Sequence, residues 1–313
     1  MRRVHRLAAI AAAIVLPISL GACGGQETAA DPNVLKVGLI TKFPVDFYDI
    51  MVDAVKEYDE EHDDVEVIYG QGKSGTDDEG VIAIIENMIT QEVKAIAVTP
   101  TSPNVQNALD RAVAAGIKVV LIDNDIPGWS GKSSLVATDN LAGGKLAGEW
   151  LAGRIEAGAK VGILQGRLGN PSLDDRVIGF KEALGTKATI VAEPATDCDE
   201  TKGLNAAQDM LTANPDIVAI YGACGPPIIG ALEAIRSAGQ QPSDLVIIGF
   251  DASPDEIAAI KAGDQTASVA QFPAKMGRLG IETAVAAARG EAVPPLVDTG
   301  TEIVTIDNVD QFS

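Results

Sequence analysis

Polar side chains stand directly after several apolar runs of the sequence. Asp123 and Asn124 follow one run, Asp251 follows a second, and Thr99 and Gln271 follow two others. A single residue of this kind is commonly a helix N-cap or a turn residue. Carboxylate, amide and hydroxyl groups that converge on one place can accept and donate hydrogen bonds to a polar molecule. Together these residues favour a binding site for a small polar ligand.

Enzymatic and metal chemistry has few candidate residues. The chain has two histidines, His5 and His62, and His62 lies in an acidic run that is typical of a solvated surface. A metal ion at His62 is therefore the less favoured interpretation. No Ser-His-Asp or Cys-His arrangement can be assembled, and no His-rich zinc site. We predict no catalytic residue, no metal site and no cofactor, and we expect that the protein is not an enzyme.

The charge of the chain argues against phosphate-bearing partners. The formal net charge is −20, whereas nucleic-acid binding needs Lys and Arg contacts to phosphates. We interpret the charge as a solvated surface and expect no nucleic-acid partner. The glycine-rich segment at 70–74 looks like the end of a phosphate-binding loop, but Val67 stands where that pattern needs its first glycine.

Short β-branched runs alternate with longer runs of helical periodicity, as parallel sheets with helices on both faces require. Nearly continuous apolar runs such as Val119–Ile122 are typical of strands covered on both faces. Gly116, Gly239, Gly263 and Gly290 each follow a helical run and predict helix ends. The predicted strands are 35–40, 65–69, 95–98, 119–122, 160–164, 189–192, 217–221, 245–250, 268–271 and 304–306.

The alternation restarts near residue 139, where a helix is predicted over 140–157. The restart predicts an α/β protein of two similar lobes, each a doubly wound parallel sheet. Ligands bind such sheets beyond the carboxyl ends of the strands. Two facing lobes therefore place one binding site in the cleft between them.

The N-terminus has the pattern of a bacterial secretion signal. Arg2, Arg3 and Arg6 precede an apolar run at 7–20, which is shorter than the ~20 residues of a spanning helix. Leu-Gly-Ala-Cys at 20–23 resembles the lipobox of bacterial lipoproteins, in which a lipid alkylates the Cys thiol. We expect a signal peptide at 1–22, lipidation of Cys23 and a flexible tether at 23–33. The protein would then lie on the extracytoplasmic face of the membrane, and a plain signal peptide is the alternative.

Four stretches carry a recognisable family pattern. They are Ala-Thr-Asp-Asn at 137–140 with Gly-Gly-Lys at 143–145, Lys-Gly-Leu-Asn at 202–205, Ile-Gly-Phe-Asp at 248–251 with Pro-Asp at 254–255, and Val-Ala-Gln at 269–271 with Pro273. Together they resemble the ribose-type periplasmic binding proteins, the sugar-capturing subunits of ABC importers. The resemblance covers nearly all of the chain after residue 22.

The resemblance implies the type I fold of that family. Its two lobes are joined by a three-crossing hinge, which would cross here near residues 138, 272 and 300. The N-terminal lobe would contain residues 34–138 and 272–300. The C-terminal lobe would contain residues 139–271 and 301–313.

The resemblance also implies ligand contacts, position by position. Phe47 matches an aromatic residue that stacks on the sugar ring, and Asp46 stands where a second aromatic is usual. Thr99 replaces a usual Asn, and Asn124 replaces an Arg. The full set of matched positions is Lys42, Asp46, Phe47, Thr99, Asp123, Asn124, Arg176, Asp251 and Gln271.

Two cysteines occupy positions that the family gives to ligand-facing residues of the second lobe. Cys198 stands in place of an aromatic residue and Cys224 in place of an Asn. Because both positions face one ligand, the resemblance implies that the two thiols are neighbours. Neighbouring thiols oxidise outside the cytoplasm, so we predict a Cys198–Cys224 disulfide in the cleft wall. Two free buried cysteines are the alternative.

The resemblance implies that a monomer captures its ligand by hinge closure and presents it to a membrane permease. The added carboxylate and the lost aromatic favour a short polyol, such as a tetritol or pentitol, or a small sugar over a hexose. A ligand-presenting sensor for a membrane receptor stays open as an alternative. A secreted sugar hydrolase would need paired carboxylates, which Asp123 and Asp251 could supply. A repressor of the lactose type is rejected, because a signal sequence stands where its DNA-binding helices would be.

Overall fold

Two six-stranded sheets organise the chain. The computed structural model describes residues 34–312, so the predicted signal peptide, the tether, Cys23 and Ser313 lie outside the described residues. The first sheet contains β1 (Leu35–Thr41), β2 (Val65–Gln71), β3 (Ala95–Val98), β4 (Lys118–Ile122), β5 (Ser134–Ala137) and β11 (Leu296–Asp298). Its strands are all parallel, in the order β11-β5-β4-β3-β1-β2.

The second sheet repeats this arrangement with one change. It contains β6 (Ala159–Leu164), β7 (Ala188–Ala192), β8 (Ala219–Gly222), β9 (Val246–Asp251), β10 (Ala267–Ala270) and β12 (Glu302–Thr305). The order is β12-β10-β9-β8-β6-β7, and β12 at the edge runs antiparallel to β10. The two α/β sheets confirm the predicted fold class.

Helices cover both sheets. The first sheet packs with α1 (Asp46–Glu61), α2 (Asp78–Thr90), α3 (Gln106–Ala114) and α9 (Pro273–Ala288). The second packs with α4 (Asn140–Ala152), α5 (Pro171–Leu184), α6 (Glu200–Ala213), α7 (Gly225–Ser237) and α8 (Pro254–Ala262). We call each sheet with its helices the first lobe and the second lobe. No helix within residues 34–312 combines the length and apolar character needed to cross a membrane.

Strand β4 shows why the central runs are continuously apolar. Val120 and Ile122 pack on one face of the first sheet with α1 and α9, whereas Val119 and Leu121 pack on the other with α2 and α3. Because successive side chains of a strand point to opposite faces, a strand covered by helices on both sides needs apolar residues at every position. The core of each lobe therefore has two layers, one on each side of its sheet.

The predicted helix ends are confirmed at the glycines. Gly116, Gly239, Gly263 and Gly290 have φ between 76° and 86°, a conformation that L side chains rarely adopt. The helix predicted over 140–157 was too long, since α4 ends at Ala152 with Gly153 as its C-cap. The chain then turns through Gly158, whose φ is 83°.

Two strands were absent from the sequence-based prediction. Strands β5 and β11 contain four and three residues, and they pair with each other at the edge of the first sheet. The Ser134 hydroxyl donates to the Pro294 carbonyl at 2.7 Å, which ties the two segments together. Strands this short are stabilised by pairing with a distant segment, so the local pattern carries no clear signal for them.

The chain passes between the lobes three times. These passages lie between β5 and α4, between β10 and α9, and between β11 and β12. Hydrogen bonds link all three: the Thr299 amide in the third passage donates to the Ala137 carbonyl at the first at 3.0 Å, and the Lys275 ammonium after the second donates to the Thr299 carbonyl at 3.0 Å. Hydrogen bonds between adjacent passages bring the connecting segments into one bundle beside the cleft.

Candidate functional site

The strands of the first lobe end at predicted ligand residues. Lys42 follows β1, Thr99 follows β3, and Asp123 and Asn124 follow β4. All four side chains are buried. Because these strands are parallel neighbours, their carboxyl ends meet at one edge of the sheet, and the polar groups lie together there.

The second lobe presents its predicted residues in the same way. Asp251 is the last residue of β9 and Gln271 follows the neighbouring β10, whereas Arg176 comes from α5. The carboxylate of Asp251 lies within electrostatic range of Asp123 in the first lobe. The ammonium of Lys42 likewise interacts with Arg176 across the cleft. The two sets of residues therefore face each other.

Arg176 is the centre of the second-lobe network. Its Nε donates to Asn140 Oδ1 at 2.8 Å, and Nη1 donates to the Ala223 carbonyl at 2.8 Å and to Asp251 Oδ1 at 3.2 Å. The guanidinium carbon lies 3.8 Å from the centroid of the Phe250 ring. These contacts hold the guanidinium plane in one orientation. Nη2 donates to no residue of the described chain, so it is available to an acceptor in the cleft.

Asp251 is held by donors from three segments. Besides Arg176, Gln271 Nε2 donates to its Oδ1 at 2.5 Å and the Gly225 amide donates to its Oδ2 at 3.4 Å. Burial raises the pKa of Asp251, and the Arg176 guanidinium opposes that shift. Its φ of 103° is disfavoured for a non-glycine residue, and such strain is concentrated at functional sites.

Asp123 has a different partner, the hydroxyl of Tyr48. Tyr48 donates to Asp123 Oδ2 at 2.9 Å, and the rings of Phe43 and Phe47 meet the Tyr48 ring edge-on. Burial and the nearby carboxylate raise the pKa of Tyr48 well above its usual range, so its hydroxyl stays a neutral donor. Asp123 also has a positive φ, 65°. An aromatic cluster thus orients the first-lobe carboxylate.

Lys42 is a buried cation beside this pair. Its residue is 7% exposed, and burial lowers the pKa of its ammonium, while attraction to Asp123 opposes the shift. Within residues 34–312 it forms no ion pair closer than 4.0 Å. An ammonium in this position can donate to a ligand oxygen.

The two residues predicted at the start of α1 lie differently from the others. Asp46 is exposed in the first turn of α1, where a carboxylate interacts favourably with the helix dipole. The structure does not bring Asp46 into the buried cluster. Phe47 is half-buried and reaches the cluster through Tyr48.

Three predicted residues carry buried polar atoms without a hydrogen-bond partner in the described chain. They are Thr99 Oγ1, Asn124 Oδ1 and Gln271 Oε1. Burying such an atom without a partner costs free energy, about 1–3 kcal/mol each. Unpartnered atoms from both lobes at one cleft are consistent with hydrogen bonding to a ligand.

The lobes touch directly beside the cleft. Asn124 Nδ2 of the first lobe donates to Ser172 Oγ of the second at 3.0 Å, and Ser172 Oγ lies 3.4 Å from the Asp123 carbonyl, to which it donates. A cavity of about 130 Å³ adjoins this contact, lined by Thr101, Asn124 and Arg167 among others. The structure is therefore one in which the lobes are closed together at this point.

The second lobe contains the Cys198–Cys224 disulfide, with the Cα atoms 5.8 Å apart. It joins the loop before α6 to the N-cap of α7. Gly225, which donates its amide to Asp251, is the next residue after Cys224. The disulfide therefore lies beside the segment that holds the second-lobe carboxylate.

Three residues near the site were missed by the sequence-based prediction. Tyr48 lies next to Phe47 in the first turn of α1, so its aromatic type was the available signal. Asn140 lies in one of the stretches that carry the family pattern, and it orients Arg176. Ser172 follows the N-cap Asn170 of α5 and has no sequence signal beyond that of an ordinary helix start.

The arrangement can bind a molecule with many hydroxyl groups. It combines two carboxylates, which accept hydrogen bonds, with a guanidinium and an ammonium, which donate them. Among the described residues no group of three or more His, Cys, Asp or Glu is placed to hold a metal ion. The groups present are those of a binding site for a neutral polar solute.

The family model for the periplasmic binding protein domain matches residues 37–292. A ribose import binding protein of Salmonella typhimurium is 36% identical over 214 residues, which cover 68% of this chain and 71% of the relative. A D-ribose/D-allose-binding protein of Pseudomonas aeruginosa is 31% identical and covers 97% of this chain and 99% of its own.

A solved structure agrees with these matches. An ABC transporter solute-binding protein of Mycobacterium smegmatis with bound glycerol is 32% identical, with a TM-score of 0.80. The alignment covers 89% of this chain and 96% of that one. The matched length and the two six-stranded sheets agree with one family. The chain belongs to the periplasmic binding protein family, and within it to the ribose-type solute-binding proteins of ABC importers.

Proposed function

We propose that this protein is an extracytoplasmic solute-binding lipoprotein. It captures a small sugar or a short polyol, a tetritol or pentitol, between its lobes and delivers it to an ABC importer. The lobes would be residues 34–138 with 272–300 and residues 139–271 with 301–313. Closure about the three crossings would enclose the ligand.

The observation that carries the proposal is the set of unpartnered buried atoms at the cleft. Thr99 Oγ1, Asn124 Oδ1 and Gln271 Oε1 lie beside the two carboxylates, Asp123 and Asp251. Each hydroxyl of a polyol can both donate and accept, so one ligand can satisfy amide oxygens and carboxylates together. A ligand with hydroxyl groups on successive carbons can donate to several of these separate oxygen atoms at once.

The short length of the ligand is supported by the contact between the lobes. The hydrogen bond between Asn124 and Ser172 closes the cleft on one side, which favours a compact solute over an extended one. Glycerol in the Mycobacterium smegmatis relative and the ribose named for the Salmonella relative are solutes of this size class.

A thermal-shift panel tests the ligand class, because a ligand that binds only the folded state raises the melting temperature by mass action. The panel contains glycerol, erythritol, ribitol, D-ribose, D-allose and D-glucose, with Asp123→Asn as the matched control. We expect the largest shift with a four- or five-carbon compound and a lost shift in the control. Shifts with the six-carbon sugars alone would reject a short ligand, and no shift with any compound would reject capture of this class.

Lipid anchoring is tested by fractionating cells that express the wild type and Cys23→Ser. We expect the wild type in the membrane fraction, with an acylated N-terminal cysteine by mass spectrometry. A wild type that is released as an unacylated soluble protein would support the plain signal peptide.

Uptake of the identified ligand in cells with and without this gene separates an importer component from a sensor.

A further inference from the structure

Glu256 is a buried carboxylate that lies behind the cleft. It is 0% exposed and sits in the first turn of α8. Its Oε2 accepts from the Ser253 amide at 3.2 Å, which completes a capping box. Its Oε1 also accepts from Gln265 Nε2 and from Ser268 Oγ, each at 2.9 Å. A helix cap alone needs neither of these two additional donors.

The backbone around Glu256 has no room for a side chain. A Cβ at Gly249 would lie 1.8 Å from Oε1, and a Cβ at Gly225 would lie 2.6 Å from Oε2. Both distances are below any ordinary contact, so the carboxylate lies against β9 on one side and the start of α7 on the other. The Gly225 amide, in turn, donates to the Asp251 carboxylate in the cleft.

A second connection runs through Ser268. Its hydroxyl donates to Glu256 Oε1 and accepts from the Ala252 amide at 3.0 Å. Ala252 and Asp251 have φ values of 48° and 103°, in a region disfavoured for both residue types. The turn that directs Asp251 into the cleft therefore needs outside support, and Ser268 supplies a hydrogen bond to it.

We propose that Glu256 is a positioning residue for Asp251, acting through Ser268 and through its packing against Gly225 to fix the turn that carries the cleft carboxylate. Its importance for ligand capture rests on the proposed function, since Asp251 is a proposed ligand contact. The positioning itself can be tested without a ligand.

The charges around Glu256 provide the readout. The charged group that faces Glu256 is the Asp251 carboxylate of β9, and Arg176 of α5 lies beyond Asp251. The other groups packed against Glu256 are neutral: Ser268 of β10, Gly225 of α7 and Gln265 of the loop before β10. Burial, followed by repulsion from Asp251, raises the pKa of Glu256 to about 8. Between pH 4.5, the usual pKa of a Glu carboxyl, and about pH 8, Glu256 is protonated in the folded state and ionised in the unfolded state. Stability should therefore fall as the pH rises through this window.

The ligand-free experiment follows the ¹³C resonance of the Asp251 carboxyl against pH. In the wild type we expect a step near pH 8, when Glu256 ionises beside it, and Glu256→Gln should remove that step. Ser268→Ala should shift the Asp251 resonance because Ala252 loses its support. Ser253→Ala is the matched control, since it removes the helix cap and a 3.4 Å hydrogen bond to Glu256 Oε2 and leaves the Ser268 connection to Ala252 in place.

Persistence of the step in Glu256→Gln would overturn the proposal. So would equal effects of the two serine variants on the Asp251 resonance. Thermal unfolding of each variant distinguishes lost positioning from lost folding, because both serine variants should lose comparable stability.

A second arm measures the affinity for D-ribose and for ribitol by calorimetry. We expect about tenfold weaker binding in Ser268→Ala, the size of one lost hydrogen bond to a charged network, and a change below twofold in Ser253→Ala. Equal affinities of the two variants would overturn the role in capture. If the wild type binds neither compound, the proposed ligand class is rejected, and the ¹³C titration decides the positioning role independently.

Discussion

Asp123 and Asp251 occupy equivalent places in the two lobes and have different surroundings. Asp123 directly follows β4 and Asp251 is the last residue of β9, and each has a positive φ, 65° and 103°. The Asp251 carboxylate is surrounded by Arg176, Gln271 and the Gly225 amide, whereas Tyr48 is the single donor that the described residues provide to the Asp123 carboxylate. The second lobe therefore holds a carboxylate in a nearly complete network, and the first lobe leaves acceptor capacity for a ligand.

The groups that hold each carboxylate in place are also more numerous in the second lobe than in the first. The second-lobe network is reinforced by the disulfide beside Gly225 and by Glu256 behind Asp251. The first-lobe carboxylate depends on packing among the rings of Phe43, Phe47 and Tyr48. Packed rings permit small adjustments more readily than a covalent bond and an ion pair do. The second-lobe carboxylate is therefore the more firmly held of the two.

Replacement of Arg176 should cause the largest loss of stability and of ligand affinity. Arg176→Met leaves the Asp251 carboxylate, whose side chain is 21% exposed, without its buried cation. Breaking a fully buried pair costs about 3–5 kcal/mol, so the lower end of that range is the expected loss. We expect that loss in urea denaturation and ligand binding at least a hundredfold weaker by calorimetry.

The matched control is Arg111→Met, which removes an exposed pair with Glu86. An exposed pair contributes under about 1 kcal/mol, so the control should unfold nearly like the wild type. Similar losses in the two variants would show that the second-lobe network has no special role.

Removal of the disulfide tests whether the second lobe is preorganised by covalent means. The bond closes a loop of sequence separation 26, for which the chain-entropy model gives about 3.5 kcal/mol. The double variant Cys198→Ser/Cys224→Ser should lose stability of this order. In hydrogen exchange, protection should fall in the loop before α6 and at the start of α7, and the first lobe should be unaffected. Two free thiols in the non-reduced protein would contradict the disulfide itself.

Tyr48→Phe tests the first-lobe carboxylate. The variant removes the one hydrogen-bond donor that the described chain provides to the Asp123 carboxylate and keeps the aromatic packing, so we expect about tenfold weaker ligand binding by calorimetry. Tyr58→Phe is the control, because the Tyr58 hydroxyl is bonded to no described residue. Unchanged affinity in Tyr48→Phe would show that the ligand alone orients Asp123.

Ser172→Ala should have the smallest effect. It removes the hydrogen bond from Asn124 and the longer one to the Asp123 carbonyl, and a loss of two- to fivefold in affinity is expected, about 0.5–1 kcal/mol. The change should appear in the dissociation rate by stopped flow, because the bond forms on closure. Ser134→Ala, which breaks a hydrogen bond within the first lobe, should leave that rate unchanged.

The fold was predictable to a large extent from the local pattern. Apolar runs such as Val119–Ile122 became central strands, and the glycines after the helical runs became helix ends. Strands β5 and β11 were missed because each contains only three or four residues and forms by pairing with a distant segment, β5 with β4 and β11 with β5. The helix α4 ended early because glycines interrupt the sequence after Ala152.

The site was predictable in its residue types and less so in its contacts. The polar residues after the strands indicated a polar ligand, and the structure places most of them together. The sequence could not show that Tyr48 contacts Asp123, that Asp46 stays exposed, or that Ser172 joins the lobes. These contacts depend on which side chain of a turn points inward, and the packing of both lobes decides that.

The sequence by itself determined the strand–helix alternation, the two-lobed α/β architecture and the polar residues after the strands. These follow from local periodicity and from the turn chemistry of single residues. The tertiary structure decided which groups became partners. Tyr48 and Asp123, like Arg176 and Asp251, are 75 residues apart in the chain. Hydrogen bonds act over about 3 Å, so only folding can select between such distant candidates and give the Asp251 carboxylate more protein donors than the Asp123 carboxylate.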